Sequence, residues 1–175
     1  MRPVNRKDID AMTEYSNIVS RKNIRLKNWD YSEDGVYFIT VCTKQKQNIL
    51  GDIRNEELVL SGLGKIVREC ILRINEIYQG VSVDCYVVMP NHVHMILSMT
   101  RDMGKAISIP HIIQQWKAAA VRLTKRDGRH AMPPLQWQRG YYDHIVRNEA
   151  SYREIYEYIE TNPQKWLEDK YFENL

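Results

Sequence analysis

No apolar run in this sequence approaches the roughly 20 residues that a membrane-spanning helix needs, so no membrane span is expected. The stretch from Arg2 to Glu14 is polar and charged and holds no apolar core, so no secretory signal is predicted either. Cysteine is scarce: Cys42, Cys70 and Cys85 are far apart and set in apolar surroundings. They read as small buried hydrophobes in a reducing cytosol rather than as disulfides or zinc ligands. These absences together predict a soluble cytoplasmic protein. Repeats, low-complexity tracts and an interdomain linker are also lacking, and 175 residues suit one compact domain. Net charge is slight at +3 and pushes only weakly towards nucleic acid. Its distribution says more, because basic residues gather from Arg21 to Lys27 and from Lys117 to Arg129. A basic face is nonetheless more often merely solvated than bound to phosphate.

What the chain does have is a stretch that organises the rest, Tyr86-Val-Val-Met-Pro-Asn-His-Val-His-Met-Ile-Leu97. It reads as a buried strand, a two-residue turn at Pro90-Asn91 and a second strand. Side chains alternate between the faces of a strand, so His92 and His94 point one way while Val93, Met95 and Leu97 point into a core. Two imidazoles on one exposed sheet face can chelate a metal ion or grip a phosphate. The same spacing also serves purely structural histidines, so the pair alone decides little.

Around this stretch the pattern predicts β, α, β, β, α, β, α. Residues 36–43 are β-branched and aromatic, a first strand. A small hairpin from Asn48-Ile-Leu50 and Leu58-Val-Leu60 follows. Ser61 caps a helix whose apolar positions Leu63, Ile66, Val67, Cys70, Ile71, Ile74, Ile77 and Tyr78 make one wide stripe, and Gly80 ends it. Strands over 82–89 and 92–98 come next. After a loop over 100–109, Pro110 opens a helix running to about Lys125. Residues 135–146 read as one strand bent at Gly140. Asn148 caps a last helix to Thr161, and Pro163 disfavours helical geometry at Asn162. Split βαβ units of this kind predict an α+β, ferredoxin-like antiparallel sheet with helices packed on one face, plus the C-terminal helix. Residues 1–20 form an N-terminal arm and 21–175 the single domain.

The last helix carries the other candidate chemistry. Tyr152, Ile155, Tyr156 and Ile159 make its buried stripe, and Tyr158 lies about 110° away from the middle of it. Asn162 follows one turn on, beside Tyr158. A phenol and an amide oxygen so placed can present a nucleophile and a metal ligand to one site. On the residue pattern alone the plainer reading is favoured, a boundary aromatic and a helix-ending amide.

Several runs, in order, resemble one family. Met89-Pro-Asn-His-Val-His-Met-Ile-Leu97 is similar to the HUH motif of the single-tyrosine, IS200-like transposases, where U is an apolar residue. Trp137-Gln-Arg-Gly-Tyr-Tyr-Asp-His-Ile-Val-Arg-Asn148 and Tyr158-Ile-Glu-Thr-Asn-Pro-Gln-Lys-Trp166 resemble the segment before the tyrosine helix, and the helix itself, in REP-associated tyrosine transposases. Ile24-Arg-Leu-Lys27, Asp30-Tyr31 and Tyr37-Phe-Ile-Thr40 resemble the N-terminal signature. The resemblance spans about residues 21–172. It implies that Tyr158 is the nucleophile and that His92, His94 and Asn162 hold a divalent metal, Mg2+ or Mn2+. It also implies a single-stranded hairpin DNA substrate and a metal-dependent endonuclease and strand transferase working through a 5′-phosphotyrosine link. A monomer is slightly favoured over a homodimer, because the quoted residues resemble most the REP-associated relatives, which can work as monomers. A catalytically silent hairpin DNA- or RNA-binding module of the same fold is the alternative.

Arg25, Lys27, Lys117, Arg122, Arg139 and Arg147 are the candidate DNA contacts, with Trp137 or Tyr142 as surfaces for base stacking. Asp143 and His144 either orient the site or cap and pack. Tyr152 and Tyr156 read as core, and His111 and His130 as surface.

Overall fold

The computed structural model describes residues 30–55, 57–100, 107–126, 133–169 and 171. Among these, strands β1 (Gly35–Cys42), β4 (Val81–Val88), β5 (His92–Met99) and β6 (Tyr142–Val146) form one antiparallel sheet in the order β4-β5-β1-β6. Strands β2 (Gly51–Arg54) and β3 (Glu57–Leu60) pair separately, and the helices are α1 (Gly62–Ile77), α2 (Ile109–Arg126) and α3 (Glu149–Thr161). This is the split βαβ arrangement expected from the pattern, with β1-α1-β4 and β5-α2-β6 interleaved. Among the described residues no helix is long and apolar enough to cross a membrane.

Strand alternation sorts the sheet into two faces. Tyr37, Ile39 and Val41 of β1 and Val93, Met95 and Leu97 of β5 pack with Val67, Ile71 and Ile74 of α1 and Ile112, Ile113 and Trp116 of α2. Their neighbours in register point the other way: Phe38, Ile96 and Val146 meet Ile159 of α3. So α1 and α2 cover one face, and α3 crosses part of the other. His92 and His94 belong to the α3 side.

Local capping accounts for the helix starts. Ser61 Oγ accepts from the Gly64 amide at 3.1 Å and donates to the Ile49 carbonyl at 2.7 Å, tying the helix end to the preceding loop. Asn148 accepts from the Ser151 amide at 2.9 Å in the same way. At Gly64 the first turn of α1 runs so close to the loop that an added Cβ would sit 1.9 Å from the Leu50 carbonyl oxygen. Leu50 cannot give way, because its amide is bonded to the Pro90 carbonyl and its carbonyl to the Ser61 amide. Gly64→Ala is therefore expected to destabilise by about 3 kcal/mol, the upper end of overpacking costs. Chemical denaturation checks this, and an unchanged midpoint would contradict it.

Several expectations need correction. The hairpin strands are 51–54 and 57–60, not 48–50 and 58–60. Leu50 is instead fully buried against the main core, and Asn55 makes the turn at φ 52°. Residues 135–146 are not one strand: only 142–146 pair along β1, and Trp137 makes a lone bridge to Thr43. Ile77 does not complete the α1 stripe and is 64% exposed, because the helix ends there above the sheet edge. Asn162 keeps helical geometry (φ −57°, ψ −41°) despite Pro163. The amides of Gln164 and Lys165 bond back to Thr161, so the chain continues in tightened turns that cost Pro163 no bond it could have made. Asn162 thus stays one helical turn beyond Tyr158.

Candidate active site

The strand pairing and the turn before it fix the two imidazoles. Thr43 clamps the turn: its amide and hydroxyl both donate to the Asn91 carbonyl, at 2.8 and 3.0 Å. Strand β5 then carries His92 and His94 on the α3 side with their Nε2 atoms 2.9 Å apart. The outer ring nitrogens have partners as well. His92 Nδ1 lies 2.8 Å from Asn91 Oδ1, and His94 Nδ1 lies 2.8 Å from Thr40 Oγ1 on β1.

Helix α3 lays Tyr158 over this pair. Its ring meets Phe38 edge-on at 6.2 Å, and its hydroxyl is 3.2 Å from His94 Nε2. The expected 110° offset from the apolar stripe is what turns the ring towards the histidines. The same hydroxyl donates to Asp169 Oδ2 at 3.2 Å, and Asn162 Nδ2 donates to that oxygen at 2.6 Å. Burial first, and then the Asp169 carboxylate, push the Tyr158 phenol well above its ordinary value. In this closed arrangement the phenol is held protonated.

The sheet face is covered, contrary to the expectation of exposure: His92 and His94 have no accessible surface. After α3 the chain folds back through Trp166, Asp169 and Tyr171. The Tyr171 ring lies 4.6 Å from His92, its amide donates to Asp169 Oδ1 at 2.6 Å, and its carbonyl accepts from Asn91 Nδ2 at 2.8 Å.

The residues fit a divalent cation. One atom each from His92, His94 and Asp169 fall within 4.8 Å of one another. The 2.9 Å between the two Nε2 atoms is that of neighbouring ligands about 2.1 Å from one ion at roughly a right angle. Asn162 Oδ1 is buried with no hydrogen-bond partner among the described residues. Leaving an amide oxygen so costs about 1–3 kcal/mol, which a ligand would recover. Two imidazoles, a carboxylate and an amide oxygen form a mixed N/O set compatible with a divalent metal.

Other expected contacts separate. Arg25, Lys27, His130 and the arm 1–20 lie outside the described residues. Arg139 and Arg147 are exposed, flanking β6. Arg122 is exposed on α2, near enough to Cys70 of α1 to act on its thiol, so the sheet stands between it and the histidines. Lys117 donates to the carbonyls of Gln138 and Gly140 at 2.6 and 3.1 Å, and burial pushes its pKa down to about 8. Its ammonium holds the segment before β6 in place. Trp137 packs on Trp116 at 5.2 Å, on the α1–α2 face, whereas Tyr142 faces Phe38 beside the site. His111 is exposed, as expected.

Asp143 does not orient the histidines. It pairs with Ile39, points to the α1–α2 face and accepts from the Tyr31 hydroxyl at 2.6 Å. His144, one residue on, is exposed on the α3 side. Tyr31→Phe is expected to cost about 1.5–3 kcal/mol, the value of a hydrogen bond to a charged group, while leaving DNA cleavage unchanged. Urea denaturation and a cleavage assay on the same variant check both halves.

Sequence reasoning missed Asp169, Tyr171, Thr40 and Asn91. Nothing in the spacing of Asp169 marks it: it reaches the site through the irregular turn after α3. Asn91 and Thr40 lay inside quoted motifs, but their roles follow from cross-strand register, Thr40 standing opposite His94.

The profile of the family described as "Transposase IS200 like" matches residues 31–162. An uncharacterized protein of Haemophilus influenzae is 34% identical over 179 aligned residues, covering 91% of this chain and 98% of the other. The REP-associated tyrosine transposase of Escherichia coli K12 is 23% identical, covering 77% of this chain and 70% of its own. A solved structure of a REP-associated tyrosine transposase bound to a REP hairpin aligns with a TM-score of 0.59 at 20% identity. The alignment covers 81% of this chain and 74% of that one, and the likeness is one of fold.

Proposed function

The chain belongs to the IS200-like transposase family, and from that premise we propose that it cuts and rejoins single-stranded DNA beside hairpins through Tyr158. The observation that carries the reading is the Tyr158 hydroxyl 3.2 Å from His94 Nε2, beside two buried histidines, a half-buried carboxylate and an amide oxygen with no partner among the described residues. Neither the tyrosine nor the histidines are there to fill the main core. The family's transposition chemistry gives both a task.

A divalent cation, Mg2+ or Mn2+, bound by His92, His94, Asn162 and Asp169 would supply Lewis-acid polarisation of the scissile phosphate. The chain's own residues do the rest. Tyr158 Oη attacks phosphorus, the bond from phosphorus to the 3′ oxygen breaks, and that oxygen leaves as a 3′-hydroxyl after taking a proton. The phenol proton has an acceptor in place at Asp169 Oδ2. The product is a 5′-phosphotyrosyl link, which keeps the phosphodiester's energy. Attack by another 3′-hydroxyl reverses the step and joins strands without ATP. A phosphate reaches the two histidines only when the cover made by Trp166, Asp169 and Tyr171 moves aside, since His92 and His94 are closed to solvent. Arg139, Arg147 and Tyr142 are the described residues best placed to meet DNA beside the opened site.

The test uses the full chain with Mn2+ and labelled single-stranded hairpins from the sequence flanking its gene. On a denaturing gel a protein-linked band and a shorter free fragment are expected. Hairpin retention on a native gel with no cutting in Mn2+ or Mg2+ would overturn the enzyme in favour of the silent binding module.

A further inference from the structure

The two histidines are held by partners of different kind. The Asn91 amide is fixed from its nitrogen end, where Nδ2 donates to the Tyr171 carbonyl at 2.8 Å, a group that can only accept. Its oxygen must therefore face His92, and an amide oxygen can only accept from Nδ1. A neutral His92 is thus locked with its proton on Nδ1 and a lone pair on Nε2. His94 Nε2 lies 2.9 Å from that lone pair, so in the cation-free protein it carries the proton of the contact. Its Nδ1 then accepts from Thr40. Unlike the Asn91 side-chain oxygen, the Thr40 hydroxyl can donate or accept, and it lies near enough to the Tyr171 phenol to act on it.

We propose that Asn91 and Thr40 are the positioning residues of the site: Asn91 pins His92 in one tautomer, and Thr40 lets His94 change tautomer when a cation enters between the two Nε2 atoms. The proposal rests on the cation-binding reading of the cluster. In the change, His94 releases its Nε2 proton to solvent and takes a proton from solvent at Nδ1, so the imidazole has the same charge before and after. The Thr40 hydroxyl rotates and stays protonated. Without a partner that can reverse its direction, one of the two states of His94 would leave a buried Nδ1 unmatched.

Long-range proton–nitrogen correlation NMR on the full chain, labelled at histidine nitrogens, reads the proton on each ring atom directly. Without cation, His92 should carry it on Nδ1 and His94 on Nε2. Titration with diamagnetic Mg2+ should convert His94 to the Nδ1 form and leave His92 unchanged. His94 already in the Nδ1 form, or doubly protonated, before Mg2+ is added would overturn the switch even if both Nε2 signals respond to Mg2+. The stated starting tautomers with no response at either histidine would instead overturn the cation reading, and the switch with it. In parallel, Thr40→Val, a near-isosteric change in a strand, should weaken Mn2+ binding by about 10–100-fold while Thr40→Ser keeps it. Equal Mn2+ affinity in the valine variant would contradict the role of the hydroxyl.

Discussion

Tyr158→Phe is expected to abolish covalent attachment of DNA and to lower cleavage by roughly a thousandfold or more, the scale on which loss of a nucleophile is felt. The substitution removes one oxygen and leaves the ring packed edge-on against Phe38 at 6.2 Å and beside His94 at 5.2 Å. The fold should therefore survive. The lost hydroxyl contacts His94 and Asp169, worth about 1 kcal/mol for the imidazole and about 1.5–3 kcal/mol for the carboxylate, still within the 5–15 kcal/mol of a typical domain. Tyr156→Phe is the control. That ring packs against Tyr152 at 6.1 Å, and its phenol is influenced first by Cys85 and Glu160 rather than by the histidine pair. It should leave attachment intact. A denaturing gel of the two variants beside the unaltered protein reads the result, and the reverse pattern would reject Tyr158.

The second large effect is expected at His94. His94→Ala removes one of two imidazoles from a cluster in which every other donor is already placed, so both Mn2+ binding and Mn2+-dependent cleavage should be lost. Binding has its own thermodynamic signature. A cation present at 100 times its dissociation constant stabilises the folded state by about 2.7 kcal/mol. In a chain of this size that corresponds to a rise in melting temperature of about 5–10 °C. The unaltered protein should show this rise with Mn2+, and His94→Ala should show none. Hairpin DNA should still be retained on a native gel, since His94 lies beneath the cover and contributes nothing to the exposed surface. A variant that keeps the Mn2+-dependent rise would remove His94 from the cation site.

The parts of the fold legible in the sequence are those written in periodicity and capping. The α1 stripe from Leu63 to Ile74, the caps at Ser61 and Asn148 and the alternation on β5 each follow from side chains a few residues apart. Tyr158 belongs with them, because its angular offset on α3 already set it apart from Tyr152, Ile155, Tyr156 and Ile159. What was not legible depends on chain segments that return from a distance without regular structure. Asp169 and Tyr171 reach the histidines through a 3-10 turn at Trp166–Glu168, and no periodicity announces where such a turn leads. The same gap made the histidine face look exposed: strand alternation gives the side on which His92 and His94 lie, but not what lies over them. Asp143 shows the reverse case. Adjacent in sequence to Tyr142, it falls on the opposite sheet face by the same alternation, and its partner Tyr31 is 112 residues away.

The most direct test of the central claim is to locate the DNA on the protein. After reaction with hairpin DNA in Mn2+, nuclease trimming and trypsin digestion, the peptide spanning residues 154–165 holds both Tyr156 and Tyr158. Fragment-ion spectra distinguish the two. A nucleotide phosphate on Tyr158 is the predicted result; the phosphate on Tyr156, or on a tyrosine outside this peptide, would contradict the account.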